Sequence, residues 1–180
     1  MGHLIRNLGG DWKKFEDRRF CPHCRTLIYR VDNKPFDGLG VIQGHAFPVE
    51  IKSAKLSFPF ADIEEHQREG LDAWTKKHTA PTWLALQMGT GRAGSQDSNL
   101  PRRLWLIPWA SWKMIERLVN SRTGLVSLPY DCRYGRMRLA VKEHEAAAVQ
   151  MLETYELLWV KGAWALPEEH VFRSWYHIKE

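Results

Sequence analysis

The stretch GLGVIQGHAFPVEIKS, residues 38–53, decides the fold of this chain. It holds two runs of strand-forming residues, separated by Gln43 and Gly44. A two-residue break of this kind is typical of a tight β-hairpin turn. With a further strand-forming run at 26–31, the pattern predicts an antiparallel meander.

The predicted hairpin brings two acidic residues together. A two-residue turn at 43–44 places Asp37 directly opposite Glu50. Side chains alternate along a strand, so Glu50 and Lys52 share one face while Val49 and Ile51 point into the core. Opposed residues have Cβ atoms about 4.5–5.5 Å apart. We therefore expect two carboxylates and one ammonium group side by side.

This arrangement suits a hard divalent cation. Two carboxylates at such a distance repel each other unless a cation lies between them. Mg²⁺ can bind both, at about 2.1 Å from each ligating oxygen. Such a site leaves positions open for water and for a phosphate oxygen, as phosphodiester hydrolysis requires. Lys52 would orient or deprotonate the water, or neutralise developing charge. The alternatives are a turn-capping role for Asp37 and an ion pair of Glu50 with Lys52 on a solvated sheet face.

The rest of the chain predicts alternating helices and strands. A first helix is expected from Asp11, because Leu8, Trp12 and Phe15 recur at helical spacing. The further expected elements are a helix at 62–78, buried strands at 82–88 and 103–109, a helix at 111–120, a β-rich segment at 130–141 and a helix at 142–159. The fold class predicted is α/β, with a mixed central β-sheet flanked by helices.

Composition limits the function classes. The 180 residues include 26 Lys plus Arg and 21 Asp plus Glu, a net charge of +5, and 44% are hydrophobic. These values are ordinary for a soluble domain and exclude a disordered chain. Apolar runs are too short for a membrane helix, and the N-terminus carries no signal peptide pattern, so we expect a cytoplasmic protein without a membrane partner. We expect one domain over 1–180, with a catalytic core at about 7–120 and an extension at about 121–180.

The acidic and basic residues of the hairpin resemble a known signature. Asp37 followed by Glu50-Ile51-Lys52 resembles the PD-(D/E)xK nuclease motif. The strand carrying VEIKS, followed by FPFADIEEHQ, resembles Holliday-junction resolvases of the bacterial RecU and archaeal Hjc kinds, including phage-encoded relatives. Phe58-Pro59 and His66-Gln67 stand where RecU-like sequences carry such pairs. The resemblance covers roughly residues 7–86 and implies a restriction-endonuclease-like fold.

The resemblance also implies the chemistry and the site. It implies Mg²⁺ as cofactor, for which Mn²⁺ substitutes, and Lys52 as the catalytic lysine. The catalytic set that it implies is Glu16, Asp37, Glu50, Lys52 and Gln67, and the metal ligands are Asp37, Glu50, the carbonyl of Ile51 and Glu16. Glu16 is chosen as the acidic residue of the first helix, with Asp11 and Asp17 as rivals. Gln67 is supported independently, because a polar amide on a buried helix stripe needs partners.

The substrate implied is branched DNA. A four-way junction has approximate two-fold symmetry, and paired nicks on opposed strands need two active sites, so the expected assembly is a homodimer. For a phage-encoded protein the location would be the host cytoplasm. The alternatives are another PD-(D/E)xK nuclease, acting in restriction or on flaps or forks, and a non-catalytic DNA-binding module organised by a zinc knuckle.

Two further groups of residues are candidates. Arg92, Arg102 and Arg103 lie around a polar, Gly-rich loop and are predicted to contact DNA phosphates. Cys21 and Cys24 form half of a zinc site, with structural zinc, a redox role and simple thiols as open alternatives. Three cysteines do not make a disulfide framework.

Overall fold

The structure is a computed structural model that describes most of the chain. The residues outside its description are 17, 21–22, 25–26, 31–33, 91–100, 124–126, 132–137, 140–145 and 179–180. Within the described residues, no helix combines the length and the apolar character needed to cross a membrane.

Twelve strands, five α-helices and one 3-10 turn at Phe60–Asp62 are formed by the described residues. The strands are β1 (Asp11–Lys14), β2 (Arg18–Phe20), β3 (Leu27–Arg30), β4 (Gly38–Ile42), β5 (His45–Ala54), β6 (Ser57–Pro59), β7 (Trp83–Met88), β8 (Arg103–Pro108), β9 (Ser127–Asp131), β10 (Arg138–Leu139), β11 (Leu158–Val160) and β12 (Ala163–Ala165). The helices are α1 (Gly2–Asn7), α2 (Glu65–Lys77), α3 (Trp109–Thr123), α4 (Ala146–Thr154) and α5 (Val171–Trp175).

A five-stranded mixed sheet forms the centre, in the order β1-β4-β5-β7-β8. The pairs β1/β4, β4/β5 and β7/β8 are antiparallel, whereas β5 and β7 are parallel. The parallel pair follows from the connection, since the chain returns through α2 before it enters β7. The predicted α/β class, with a mixed sheet flanked by helices, is confirmed.

The hairpin between β4 and β5 has the predicted register. Gln43 and Gly44 have φ values of 51° and 80°, the left-handed conformation that a two-residue hairpin turn of the primed type requires. The pairs run from Ile42 opposite His45 to Gly38 opposite Val49. Asp37 is the next residue beyond this ladder, so the register places it at the end of β4, near Glu50 of β5.

Both faces of the sheet are buried. On β7, Leu84 and Leu86 belong to the cluster that packs against α2, α3 and α4, while Trp83 and Ala85 belong to the cluster that includes residues of α1 and α5. This alternation explains why the first four residues of β7, Trp83 to Leu86, are all apolar. Glu50 and Lys52 pair in register with Leu84 and Leu86 and therefore share the α2 face.

The prediction of a helix from Asp11 is wrong. Residues Asp11–Lys14 form β1, which pairs along β4 from Val41 to Gly38. Trp12 packs with the α1 and α5 cluster and Phe15 with the α2 cluster, so the two rings lie on opposite faces of the sheet. Spacing alone suggested one helical face, but the unpaired edge of β4 offers a hydrogen-bonding partner that outweighs this local preference.

Candidate active site

The middle of β5 carries a buried carboxylate beside an ammonium group. Glu50 is 0% exposed, and its Oε1 lies 3.0 Å from Nζ of Lys52. Val49, on the opposite face, is also fully buried. Glu50 is therefore not part of an ion pair on a solvated sheet face, which was one alternative from the sequence.

Asp37 is held against the same strand by backbone and side-chain contacts. Its Oδ2 accepts the Ile51 backbone N–H at 2.9 Å. Its Oδ1 lies 2.8 Å from Nζ of Lys34, and the two side chains are only 16% and 13% exposed. Its carbonyl accepts the Phe15 backbone N–H at 2.8 Å, which ties it to the end of β1.

Gln67 on α2 connects the two charged residues of β5. Its Nε2 donates to Oε1 of Glu50 at 2.7 Å, and its Oε1 accepts from Nζ of Lys52 at 2.9 Å. The same Oε1 accepts the Glu64 backbone N–H at 3.0 Å, as part of a capping box at the start of α2. Because the amide is engaged at both ends, it fixes the position of the Glu50 carboxylate and of the Lys52 ammonium group.

A close approach between α2 and the segment before Asp37 makes this assembly compact. A Cβ atom on Gly70 would lie 2.3 Å from Cβ of Pro35, so only glycine fits there. Phe36 is buried and contacts Trp74 of α2 edge to face, with ring centroids 5.8 Å apart. Gly70 therefore permits the packing that brings Asp37 next to the residue pair on β5.

The electrostatics of the site centre on Glu50. Burial, followed by the nearby Asp37 carboxylate, raises the pKa of Glu50 to about 7, while Lys52 and Lys34 act in the opposite direction. Oε2 of Glu50 is buried and receives no hydrogen bond within the described part of the chain. A buried carboxylate oxygen in this condition is costly and is an exception among native polar groups.

The oxygen donors of the site are of the kind that a hard cation prefers. In the part of the chain that the structure describes, no group of three or more His, Cys, Asp or Glu side chains is placed to hold a metal. Two carboxylates are nevertheless present, and the unpartnered Oε2 of Glu50 is one ligand atom that a cation would satisfy. The Ile51 N–H points to Asp37, and the carbonyl of a strand residue lies on the same edge as its N–H. Asp37, Glu50 and the Ile51 carbonyl are the oxygen donors of this site that would hold Mg²⁺.

Glu16 is not on a helix. It follows β1 and is exposed, because the helix that was expected to carry it is a strand. The neighbouring Phe15 bonds to the Asp37 backbone, so the chain passes the site at this point. The rival Asp11 lies on β1, opposite Val41, and Asp17 lies outside the described residues. Glu16 as a fourth ligand stays a prediction.

The predicted DNA-contacting arginines fall in different settings. Arg92 lies outside the described residues, and Arg102 is exposed just before β8. Arg103 donates from Nε and Nη2 to the two carboxylate oxygens of Glu156, and its guanidinium lies over Trp105 at 5.7 Å. The structure therefore gives Arg103 an intramolecular partner, and its contact with DNA phosphate stays a prediction.

The possible zinc site is described only in part. Cys24 is exposed, whereas Cys21 lies outside the described residues. The pairing of Cys21 and Cys24 around zinc stays a prediction.

Lys34 belongs to the site and was missed by the sequence reasoning. Its ammonium group contacts Asp37, three residues later in the same turn. The signal that could have found it is this spacing, since a lysine three residues before an acidic residue in a Pro-containing turn can fold back onto the carboxylate.

No protein-family model and no curated protein sequence matches this chain. The interpretation of the site therefore rests on its geometry and on the motif.

Proposed function

We propose that the protein is a Mg²⁺-dependent DNA endonuclease that resolves four-way junctions by paired nicks. The main support for metal-dependent hydrolysis is the buried Glu50. Its Oε2 has no partner among the described residues, although the Glu50 side chain lies near Asp37, Lys52 and Gln67. Leaving a buried carboxylate oxygen without a partner costs free energy, and a cation bound at this position would remove that cost.

Each residue of the site has a role in the proposed reaction. When bound, Mg²⁺ supplies a Lewis acid that polarises the phosphate and lowers the pKa of a ligated water. Asp37, Glu50 and the Ile51 carbonyl would hold it. Lys52, positioned by Gln67, would orient the attacking water and neutralise charge that develops on the phosphate oxygens. Mn²⁺ would substitute for Mg²⁺, because both accept oxygen ligands.

The order of elements supports the nuclease class, and the resemblance supports branched DNA as the substrate. Three antiparallel strands, β1, β4 and β5, followed by α2 and the parallel strand β7, agree with the restriction-endonuclease-like fold that the motif implies. The Phe58-Pro59 and His66-Gln67 pairs extend the motif toward junction resolvases. Paired nicks require two copies of the site, so the proposed active form is a two-fold homodimer.

The test is cleavage of a labelled four-way junction with Mg²⁺, with Mn²⁺ and with EDTA. The wild type should nick opposed strands only with metal. Asp37→Ala and Glu50→Ala should keep junction binding and lose cleavage by at least about a thousandfold, because each removes a metal ligand. Lys52→Ala should slow cleavage by about a hundredfold or more without loss of metal binding. Glu69→Gln, which changes an exposed carboxylate on α2, is the matched control and should cleave normally.

Other targets and the non-catalytic alternative are separated in the same experiment. Faster cleavage of a flap, a fork or a linear duplex than of the junction would keep the hydrolytic site and replace the substrate. Tightly bound stoichiometric zinc, with no Mg²⁺-dependent or Mn²⁺-dependent strand breaks on any substrate, would instead favour a zinc-knuckle DNA-binding module. Full activity in Glu50→Ala would contradict the proposed active site.

A further inference from the structure

Lys34 faces the carboxylate that the proposed metal would use. Its Nζ lies 2.8 Å from Oδ1 of Asp37, and only 13% of the Lys34 side chain is exposed. The other oxygen of Asp37, Oδ2, already accepts the Ile51 N–H. A cation that binds Asp37 through Oδ1 therefore approaches the oxygen that Lys34 contacts.

Two ammonium groups already lie beside the two carboxyl groups that the metal would use. Asp37 and Glu50 supply two carboxylates, and Lys34 and Lys52 supply two ammonium groups within ion-pair distance of them. A divalent ion added to this set creates an excess of positive charge in a site that is largely shielded from solvent. Repulsion between Lys34 and the ion is therefore stronger than it would be on an open surface.

We propose that Lys34 acts as a cation placeholder: it neutralises Asp37 in the metal-free protein and competes with the divalent ion for Oδ1. The inference rests on the proposed function, since it assumes that Asp37 and Glu50 bind the metal. It assigns Lys34 a role in the metal-free site, in which it neutralises Asp37 and sets the metal concentration at which the site fills. The ammonium group of Lys52 also donates to Oε1 of Gln67.

Removal of the Lys34 charge should strengthen metal binding, whereas substitutions in an active site usually weaken it. Lys34→Met should bind Mn²⁺ more tightly than the wild type, by about tenfold, because a unit charge beside a divalent ion opposes binding to at least that extent even in a medium as polar as water. Asp37 should stay oriented in this variant, because the Ile51 N–H still holds Oδ2. Lys34→Arg keeps the charge and should remain within about threefold of the wild type.

The measurement is Mn²⁺ affinity by titration calorimetry at low ionic strength, with no DNA present. Lys55→Met is the matched control, because Lys55 is exposed just after β5 and its removal changes the net charge equally. Its Mn²⁺ affinity should change by less than about twofold, since exposed charges are screened. Lys34→Gln is the second neutral variant, and the melting temperature of each protein is recorded with and without Mn²⁺. The metal-free Lys34→Met protein should melt lower than the wild type and gain more from Mn²⁺.

The outcomes separate this inference from the proposed function. Equal or weaker Mn²⁺ binding by both Lys34→Met and Lys34→Gln, with normal binding by the wild type, overturns the placeholder role and leaves the metal site intact. Wild-type protein that binds no Mn²⁺, or binds it as well as Asp37→Asn does, overturns the metal site and the placeholder role together. Tighter binding by both neutral variants, with no change in Lys34→Arg and Lys55→Met, supports the inference.

Discussion

The burial of Glu50 makes a quantitative prediction for Glu50→Gln in metal-free protein. The fold raises the pKa of this carboxyl from 4.5 to about 7, and the side chain is 1% exposed, so solvent screens the effect little. At 1.36 kcal/mol for each pKa unit, burying the ionised form costs about 3 kcal/mol of the free energy of unfolding. The substitution removes that charge, while the remaining side-chain oxygen keeps the bonds from Gln67 and Lys52.

The pH window follows from the direction of the shift. A raised pKa in the folded state means that the extra stability of the protonated form is fully present below pH 4.5 and is lost as the pH rises through about 7. Between pH 5.5 and pH 8 the wild type should therefore lose about 2 kcal/mol through Glu50, and the variant should lose nothing through this position. The amide that Glu50→Gln introduces leaves a buried N–H unpaired, which costs about 1 kcal/mol at both pH values and does not affect the comparison.

The assay is urea unfolding of both proteins in EDTA at pH 5.5 and pH 8, with Glu69→Gln as the control for removal of an exposed carboxylate. We expect Glu50→Gln to gain about 2 kcal/mol relative to the wild type as the pH rises, and Glu69→Gln to follow the wild type. Mg²⁺ at pH 8 should stabilise the wild type and not Glu50→Gln. A stability difference between wild type and Glu50→Gln that is the same at both pH values would refute the reasoning that the fold buries a costly charge.

Two further predictions concern residues that support the fold. His170 is 1% exposed, and its pKa is lowered to about 4, chiefly by burial. The free energy of unfolding of the wild type should therefore rise by about 2 kcal/mol between pH 4.5 and pH 7. This contribution is complete above the ordinary pKa of 6.5 and is lost as the pH falls through about 4. Urea unfolding of His170→Asn, which keeps a cap for the Phe172 N–H, should lack this pH dependence, and its persistence would contradict the assignment. Gly70→Ala should destabilise the protein by about 1–3 kcal/mol, because the added Cβ meets Pro35 at 2.3 Å, whereas helix propensity alone predicts a gain of about 1 kcal/mol. Urea unfolding and junction cleavage check this, and a more stable, fully active variant would contradict it.

The part of the site that lies on the hairpin was predictable from the sequence. Turn chemistry at Gln43 and Gly44 determines the register of β4 and β5, and alternation then places Glu50 and Lys52 on one face. Both rules depend on residues that are near in sequence. The position of Asp37 beside this face follows from the same register.

The contributions of distant segments were harder to predict. Gln67 was expected near the site from the motif, but its bonds to both Glu50 and Lys52 depend on how closely α2 approaches the sheet. That approach depends on Gly70 meeting Pro35, a contact between segments that no local pattern reveals. The strand β1 was missed for a similar reason, since its hydrogen bonds go to β4, and helical spacing contains no information about that edge.

By itself, the sequence determined the hairpin, its register and the pairing of a carboxylate with an ammonium group on one face, because strand alternation and turn geometry act over a few neighbouring residues. Only the tertiary structure decided that Glu50 is fully buried and that its Oε2 has no partner among the described residues. Burial and charge balance are properties of all the groups that converge on a point, so they emerge when α2, β5 and the segment before β4 pack together.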